Sequence, residues 1–426
     1  MTQAIAPSRA ASALRAQAAA RLAELGLPTA QLEEWRFTNP AAITRVDWVD
    51  PPQAGAAASS SAAAPAPAAR AGWPRHAVAT VDGRFVAASI AGEPGLTIVA
   101  LPPGDGAVMP EAWGAIAPAD APSHAFVLQN AARADGGVHL RVARGATIAQ
   151  PIVIAHARGA RPDAPPVLVA PRVLIEVEPG ASVTVVEDFR GLSAGADFTN
   201  AVTEVVVADG AACTLVRLVG ERAQGFHVGL AAARLGRDAR FTARTFAPGG
   251  PIVRDDVHVT FRGDGSEAHL DGLFTVTGTQ VVDHHTVLDH AAARCTSREH
   301  YKGILTGSGH GIFNGAVIIR PDAQKSDSNQ RSMNLLLSND ATIDTKPELQ
   351  IWADDVKCGH GATVGRLDDD ALFYLRARGI GAAEARAMLV RAFAGEVVDR
   401  VEHAGLRAEI DAWIGERMER LGTEVA

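Results

Sequence analysis

Between about Arg75 and Gly365 the chain repeats one kind of segment, a short run rich in β-branched residues followed by a turn. VLIEV, SVTVVEDF, VTEVVVA, CTLVRLV, VHVTF, LFTVT and GAVIIR are examples. Val, Ile and Thr suit a pleated, half-buried surface, and turn residues between such runs mark strand ends. No convincing helical period interrupts the stretch, which argues against alternating strand–helix units. A corner motif accompanies the runs, a Gly or Asp followed by Ala or Ser. It occurs at Gly145-Ala146, Gly180-Ala181, Gly210-Ala211, Asp238-Ala239, Gly265-Ser266, Asp340-Ala341 and Gly361-Ala362. Most successive gaps are about 27–35 residues, irregular for a strict repeat but suited to stacked coils.

Many short strands with small corner residues allow a sandwich or a parallel β-helix. A sandwich of about 290 residues would need a very large single core. A solenoid has no such limit, because each coil contacts only its neighbours. The residues therefore favour a mainly β fold with a parallel β-helix over 75–366.

The flanks differ. Residues 8–25 read as a helix, with Leu14, Ala18, Leu22 and Leu25 at helical spacing and Gly26 and Pro28 as stop signals. Residues 1–23 hold Arg9, Arg15 and Arg21 and no acid, which also resembles a transit peptide, but the periodicity favours a helix. With the polar-aromatic segment EEWRFTNP this makes an N-terminal helical region over 1–50. Residues 51–74 are mostly Pro, Ala, Ser and Gly, a composition that reads as a flexible linker. Residues 367–426 read as three helices, Asp368 to Arg378, Ala382 to about Val401 and Leu406 to Leu421. In the second, Met388, Leu389, Ala392, Phe393, Val397 and Val401 form the expected apolar stripe. Such a cap would cover an open solenoid edge and offer a docking surface.

Composition removes several function classes. Asp and Glu outnumber Lys and Arg by 48 to 40, which argues against a nucleic-acid binder. The three cysteines, Cys213, Cys295 and Cys358, are widely spaced, so a disulfide framework is not expected and a cytoplasmic location is. No apolar run reaches the roughly 18–20 residues a membrane span needs. P-loop and H-E-x-x-H motifs are missing, and no glycine-rich stretch has a dinucleotide-binding context.

Two groups of residues carry candidate chemistry. In KPELQIWADDVKCGHGATVG, residues 346–365, Cys358 and His360 stand two apart between Gly359 and Gly361. On a strand they share a face, and Cys and His are favoured ligands of soft and borderline metals. A tight turn with a buried thiol and a hydrogen-bonded imidazole explains the pair equally well; as a chelate, two ligands do not close a site, so the missing ones would come from a second chain. The second group is Asp283, His284, His285, Asp289, His290, His300 and His310. A mononuclear site from Asp283, His285 and His300 would make the chain a stand-alone β-helix metalloenzyme. Polar ladders on a solenoid surface explain the same residues, and no spacing here matches a known ligand motif.

The stretch from Ser328 to Ile380, SNQRSMNLLLSNDATIDTKPELQIWADDVKCGHGATVGRLDDDALFYLRARGI, resembles the SufD family, subunits of the SUF iron–sulfur cluster assembly complex. The likeness extends through YKGIL, FNGAVIIRPDAQKSD and the N-terminal EEWRFTN. The paralogous SufB family is typically longer and carries an acidic-His block where this chain reads C-G-H-G-A-T-V-G. The family's usual C-S-H-G is C-G-H-G here.

The resemblance implies a right-handed parallel β-helix between helical N- and C-terminal regions, acting as a non-enzymatic scaffold. It implies pairing with SufB through the β-helix, with a transient iron–sulfur cluster formed at that interface and nothing tightly bound to the isolated chain. The family's histidine maps to His360, with Cys358 in the same motif. It implies docking of the SufC ATPase on the C-terminal helices, for which Phe373, Tyr374, Arg378 and Phe393 are the residues expected here. A homodimer of the isolated chain is a further expectation. A reduced flavin accompanies some complexes of the family, and no residue of this chain is assigned to it.

Overall fold

A computed structural model describes residues 9–52, 76–90, 92–102, 109–159, 165–190, 197–220 and 224–424. Nearly all of the 51–74 linker lies outside the described residues. The chain is mainly β, a solenoid of about 7 turns between N- and C-terminal helices. From Ser182 onward successive strands alternate between two ten-stranded sheets, so each strand pairs in parallel with the strand two places on. Phe226 pairs with Ile252, 26 residues later, and His310 with Thr342, 32 later. From Ser182 onward the coil length varies between these limits without loss of register. At the N-terminal end each sheet finishes on an antiparallel strand, Arg84–Ser89 in one and Leu96–Leu101 in the other.

The corner motif has a physical basis. Gly145, Gly180, Gly210, Asp238 and Gly265 all take positive φ, between 54° and 73°. Each donates its backbone N–H to the next coil, for example Gly210 to the Arg237 carbonyl and Gly265 to that of Ala293. The stack continues through Arg294 (φ 57°) and Lys325 (φ 62°), where residue type gave no sign of it. The residue after each corner turns inward and must be small: Ala181, Ala211, Ala239, Ser266, Cys295 and Ser326 are all buried. Cys295 is thus a corner residue, its Sγ 3.4 Å from Ser266 Oγ. Asp340-Ala341 lies off this column and Gly361-Ala362 lies inside the last strand, Lys357–Gly365.

The lumen is filled by Val, Leu, Ile, Ala and Phe from both sheets. One correction concerns the 75–366 stretch: a helix, Ala125–Arg133, interrupts the segment read as purely β and packs on the Arg9–Leu25 helix and the Phe198–Val207 strand. The C-terminal helices fall at Asp369–Ala377, Ala382–Val398 and Ala404–Glu424. Asp368 caps the first, its carboxylate accepting the N–H groups of Asp370 and Ala371. The second buries Ala385, Val390, Ala394, Val397 and Val398 against the outer face of one sheet. Its buried face is therefore rotated from the expected stripe, leaving Met388 and Ala392 exposed.

Candidate functional site

The Cys358-Gly359-His360-Gly361 motif lies on the last strand, Lys357–Gly365, at the C-terminal end of one sheet. That strand pairs with Asp327–Leu336, and the last strand of the facing sheet, Thr342–Ile351, pairs with His310–Ile319. Among the described residues, neither has a neighbour on its other side. Two unpaired edges thus stand together at one end of the solenoid, with Trp352 and Val364 more than half exposed beside them. Such edges invite another chain unless something covers them.

Strand alternation decides where the motif points. Cys358 packs against the main core, so its side chain faces the lumen, and His360, two residues on, shares that face. Gly359 and Gly361 face outward. A methyl group at Gly361 would meet nothing within 4 Å, so no internal contact demands glycine there. Cys358 is half-buried and His360 exposed. Burial raises the Cys358 thiol above its usual range, so in the isolated chain it is no activated thiolate. Cys213 and Cys295 lie deeper, and burial pushes Cys213 up to about 12.

Each motif residue ends an interior column that turns polar toward the open end. One column runs Cys213, Phe241, Ala268, Ser297, Ser328, Cys358. The Ser297 hydroxyl donates to Ser328 Oγ at 2.8 Å, and His290 Nε2 lies 2.9 Å from Ser297 Oγ. The other runs Leu215, Ala243, Leu270, Glu299, Gln330, His360. Burial pushes the Glu299 carboxyl up to about 7, against hydrogen bonds from Thr286 and Gln330. These columns are the part of the site that sequence reading missed, although alternation along SREHY and SNQRS was the signal for them.

The second group does not converge. Asp283 and His285 lie on the outer face of one sheet, whereas His300 belongs to the other. His300 faces outward beneath the C-terminal helices, beside Arg400 and Glu396. Among the described residues no set of three His, Cys, Asp or Glu side chains is placed to hold a metal. The Asp283–His285–His300 metalloenzyme is therefore set aside on geometry. What Asp283 does is structural: it accepts the Thr38 hydroxyl at 2.6 Å, and His285 Nε2 lies 3.0 Å from it. Burial would raise its pKa, but His285, Arg254 and Thr38 together hold it at about 2. Arg254 lies 4.0 Å over the Trp35 ring, and Lys346 reaches Glu33 at 2.8 Å. The EEWRFTN segment is thus strapped across the sheet.

The expected docking residues divide. Phe373 and Tyr374 are 75% and 56% exposed, and the Arg378 guanidinium lies 4.8 Å over the Tyr374 ring. Phe393 is instead half-buried. Its ring packs inward under Lys302 Nζ at 4.2 Å, and Lys302 also donates to the Phe393 carbonyl and pairs with Glu396. The reason is burial of Lys302, whose ammonium requires an aromatic face, a carbonyl or a carboxylate beside it.

A model of the "SUF system FeS cluster assembly, SufBD core domain" matches residues 160–393, more than half of the chain. The Escherichia coli iron–sulfur cluster assembly protein SufD is 30% identical over 404 residues, covering 93% of this chain and 91% of that protein. This chain belongs to the SufBD family and is SufD-like. A SufBD family protein of Synechocystis is 32% identical over 256 residues, covering 58% of this chain and 56% of that protein. SufD of Bacillus subtilis is 28% identical over 291 residues, covering 67% and 65%. A SufD-like chain has its role in SUF iron–sulfur cluster assembly, and the matched core contains the C-G-H-G motif. Among the described residues no helix is long and apolar enough to cross a membrane.

Proposed function

We propose that this chain is a non-catalytic scaffold subunit that supplies half of a cluster-assembly site. The carrying observation is the open end of the solenoid, where two free strand edges flank an inward-facing Cys358 and His360. A chelate with two donors and no closing ligands suits a site completed by another protein. Within the family that protein is SufB, seated edge to edge on the Thr342–Ile351 and Lys357–Gly365 strands. The iron–sulfur cluster is then cargo built at the junction, with His360 as its ligand from this side and Cys358 as a second donor once deprotonated.

The missing P-loop fits a chain that borrows its ATPase. Phe373 and Tyr374, exposed on the Asp369–Ala377 helix, offer the aromatic anchors for SufC. That helix follows the motif strand directly, so movement of a docked ATPase would reach the open end through residues 366–368. Co-purification of tagged chain with SufB and SufC tests both contacts. Val364→Asp is expected to release SufB and spare SufC, and a Phe373→Ala/Tyr374→Ala double variant the reverse. Retention of both partners by both variants would refute the assigned surfaces.

A further inference from the structure

The column that ends in His360 contains an unusual neighbour. Gln330 is 1% exposed and register-paired with His360 on one side and Glu299 on the other. Its Nε2 donates to Glu299 Oε2. The same amide nitrogen reaches across the lumen to Gly315 on the facing sheet, where a Cβ would stand only 1.9 Å from it. Glu299 accepts from this amide nitrogen, and the absence of a side chain at Gly315 leaves room for it. The Gln330 carbonyl oxygen, Oε1, is left buried with no hydrogen-bond partner. A buried unpaired acceptor costs about 1–3 kcal/mol, and the next residue in the column is an imidazole with an N–H to give.

We infer that Gln330 is a positioning residue for His360: its Oε1 accepts one ring N–H when a second subunit closes the open end, leaving the other ring nitrogen for iron. A metal-binding histidine commonly donates its second N–H to a carbonyl or carboxylate, which fixes tautomer and ring orientation. Here the carbonyl is supplied one coil below the ligand. Glu299 acts at one further remove by holding the amide. Gly315 acts by leaving room for it.

The inference rests on the proposed role of His360, so the test separates the two. The assembled complex is purified with wild-type chain, Gln330→Met, Gln330→Glu and His360→Ala, with thermal unfolding as the check on folding. Iron content is measured, together with pulsed EPR of the reduced cluster for the couplings of a coordinated imidazole nitrogen. Gln330→Met keeps the length and loses the acceptor. About a tenfold loss of retained iron is expected, with altered nitrogen couplings. Gln330→Glu keeps an acceptor oxygen at similar reach, so iron recovers while the couplings shift, because a carboxylate pulls harder on the N–H. Wild-type couplings in either folded Gln330 variant, with imidazole couplings abolished by His360→Ala, overturn this inference alone. Imidazole couplings that survive His360→Ala overturn the proposed role of His360 as well.

Discussion

At the scale of single residues, the lumen holds polar groups among the apolar ones, near its open end and further inside. Glu299 shows the consequence. Its carboxyl is raised from 4.5 to about 7 by burial, so protonation is favoured in the folded state. A raised carboxyl contributes stability fully present below its unfolded pKa and lost as pH rises through the folded one. Between pH 4.5 and about 7 the wild-type chain should lose about 3 kcal/mol from this group. Glu299→Gln is expected to remove the loss. Urea unfolding at pH 5 and pH 8 checks it, since the variant should gain on wild type only at the higher pH. Cys358 makes a second prediction. With its thiol raised by burial, alkylation by iodoacetamide at pH 8 should run slower than for an exposed model thiol. Faster reaction would mean a nearby activating cation and a more direct role for the sulfur.

A buried ion network further inside escaped the sequence reading. Arg217 is fully buried between Asp255, at 3.1 Å, and Glu187, at 3.7 Å, and Thr203 donates to the same Glu187 carboxylate. The inward positions of SVTVVEDF and CTLVRLV carry Glu187 and Arg217, so alternation pointed to them. What it could not supply was the partner, because Asp255 comes from the facing sheet. Breaking such a pair from one side leaves a stranded charge. Arg217→Met is expected to cost about 3–5 kcal/mol in unfolding free energy. A cost near zero would show that the lumen admits water there.

At the scale of elements, the corner column sets the coil. Gly and Asp corners were legible because few other residues tolerate positive φ. Arg294 and Lys325 were not legible, since neither residue type favours it and the stack above and below imposes the conformation. Replacing Lys325 by glycine is expected to stabilise the chain by up to about 1 kcal/mol, and Gly210→Ala to destabilise it by about 1 kcal/mol. Paired denaturant melts of the two variants check the opposite signs. The C-terminal helices were legible in place and length, but not in which face is buried, because the sheet beneath chooses Val390 and Ala394 over Met388 and Ala392. The Ala125–Arg133 helix was hidden in an Ala-rich chain where helical and loop compositions look alike.

At the scale of the whole molecule, the solenoid is finished at one end and unfinished at the other. Antiparallel strands end it near Arg84–Ser89 and Leu96–Leu101, while among the described residues Thr342–Ile351 and Lys357–Gly365 each have an unpaired edge. Sequence alone indicated the coil, the motif and the missing ligands. It could not show that motif and free edges coincide, since that follows from where the last coil stops. Nor could it show that Asp283 and His285 face away from His300, which depends on which sheet each strand joins. The central claim is that His360, at that open end, is this chain's ligand to the nascent cluster. Iron and acid-labile sulfide analysis of the intact complex, wild type against His360→Ala, tests it most directly. The account predicts about a tenfold loss of both in the variant with subunit composition unchanged. Undiminished iron and sulfide in an intact His360→Ala complex would contradict it.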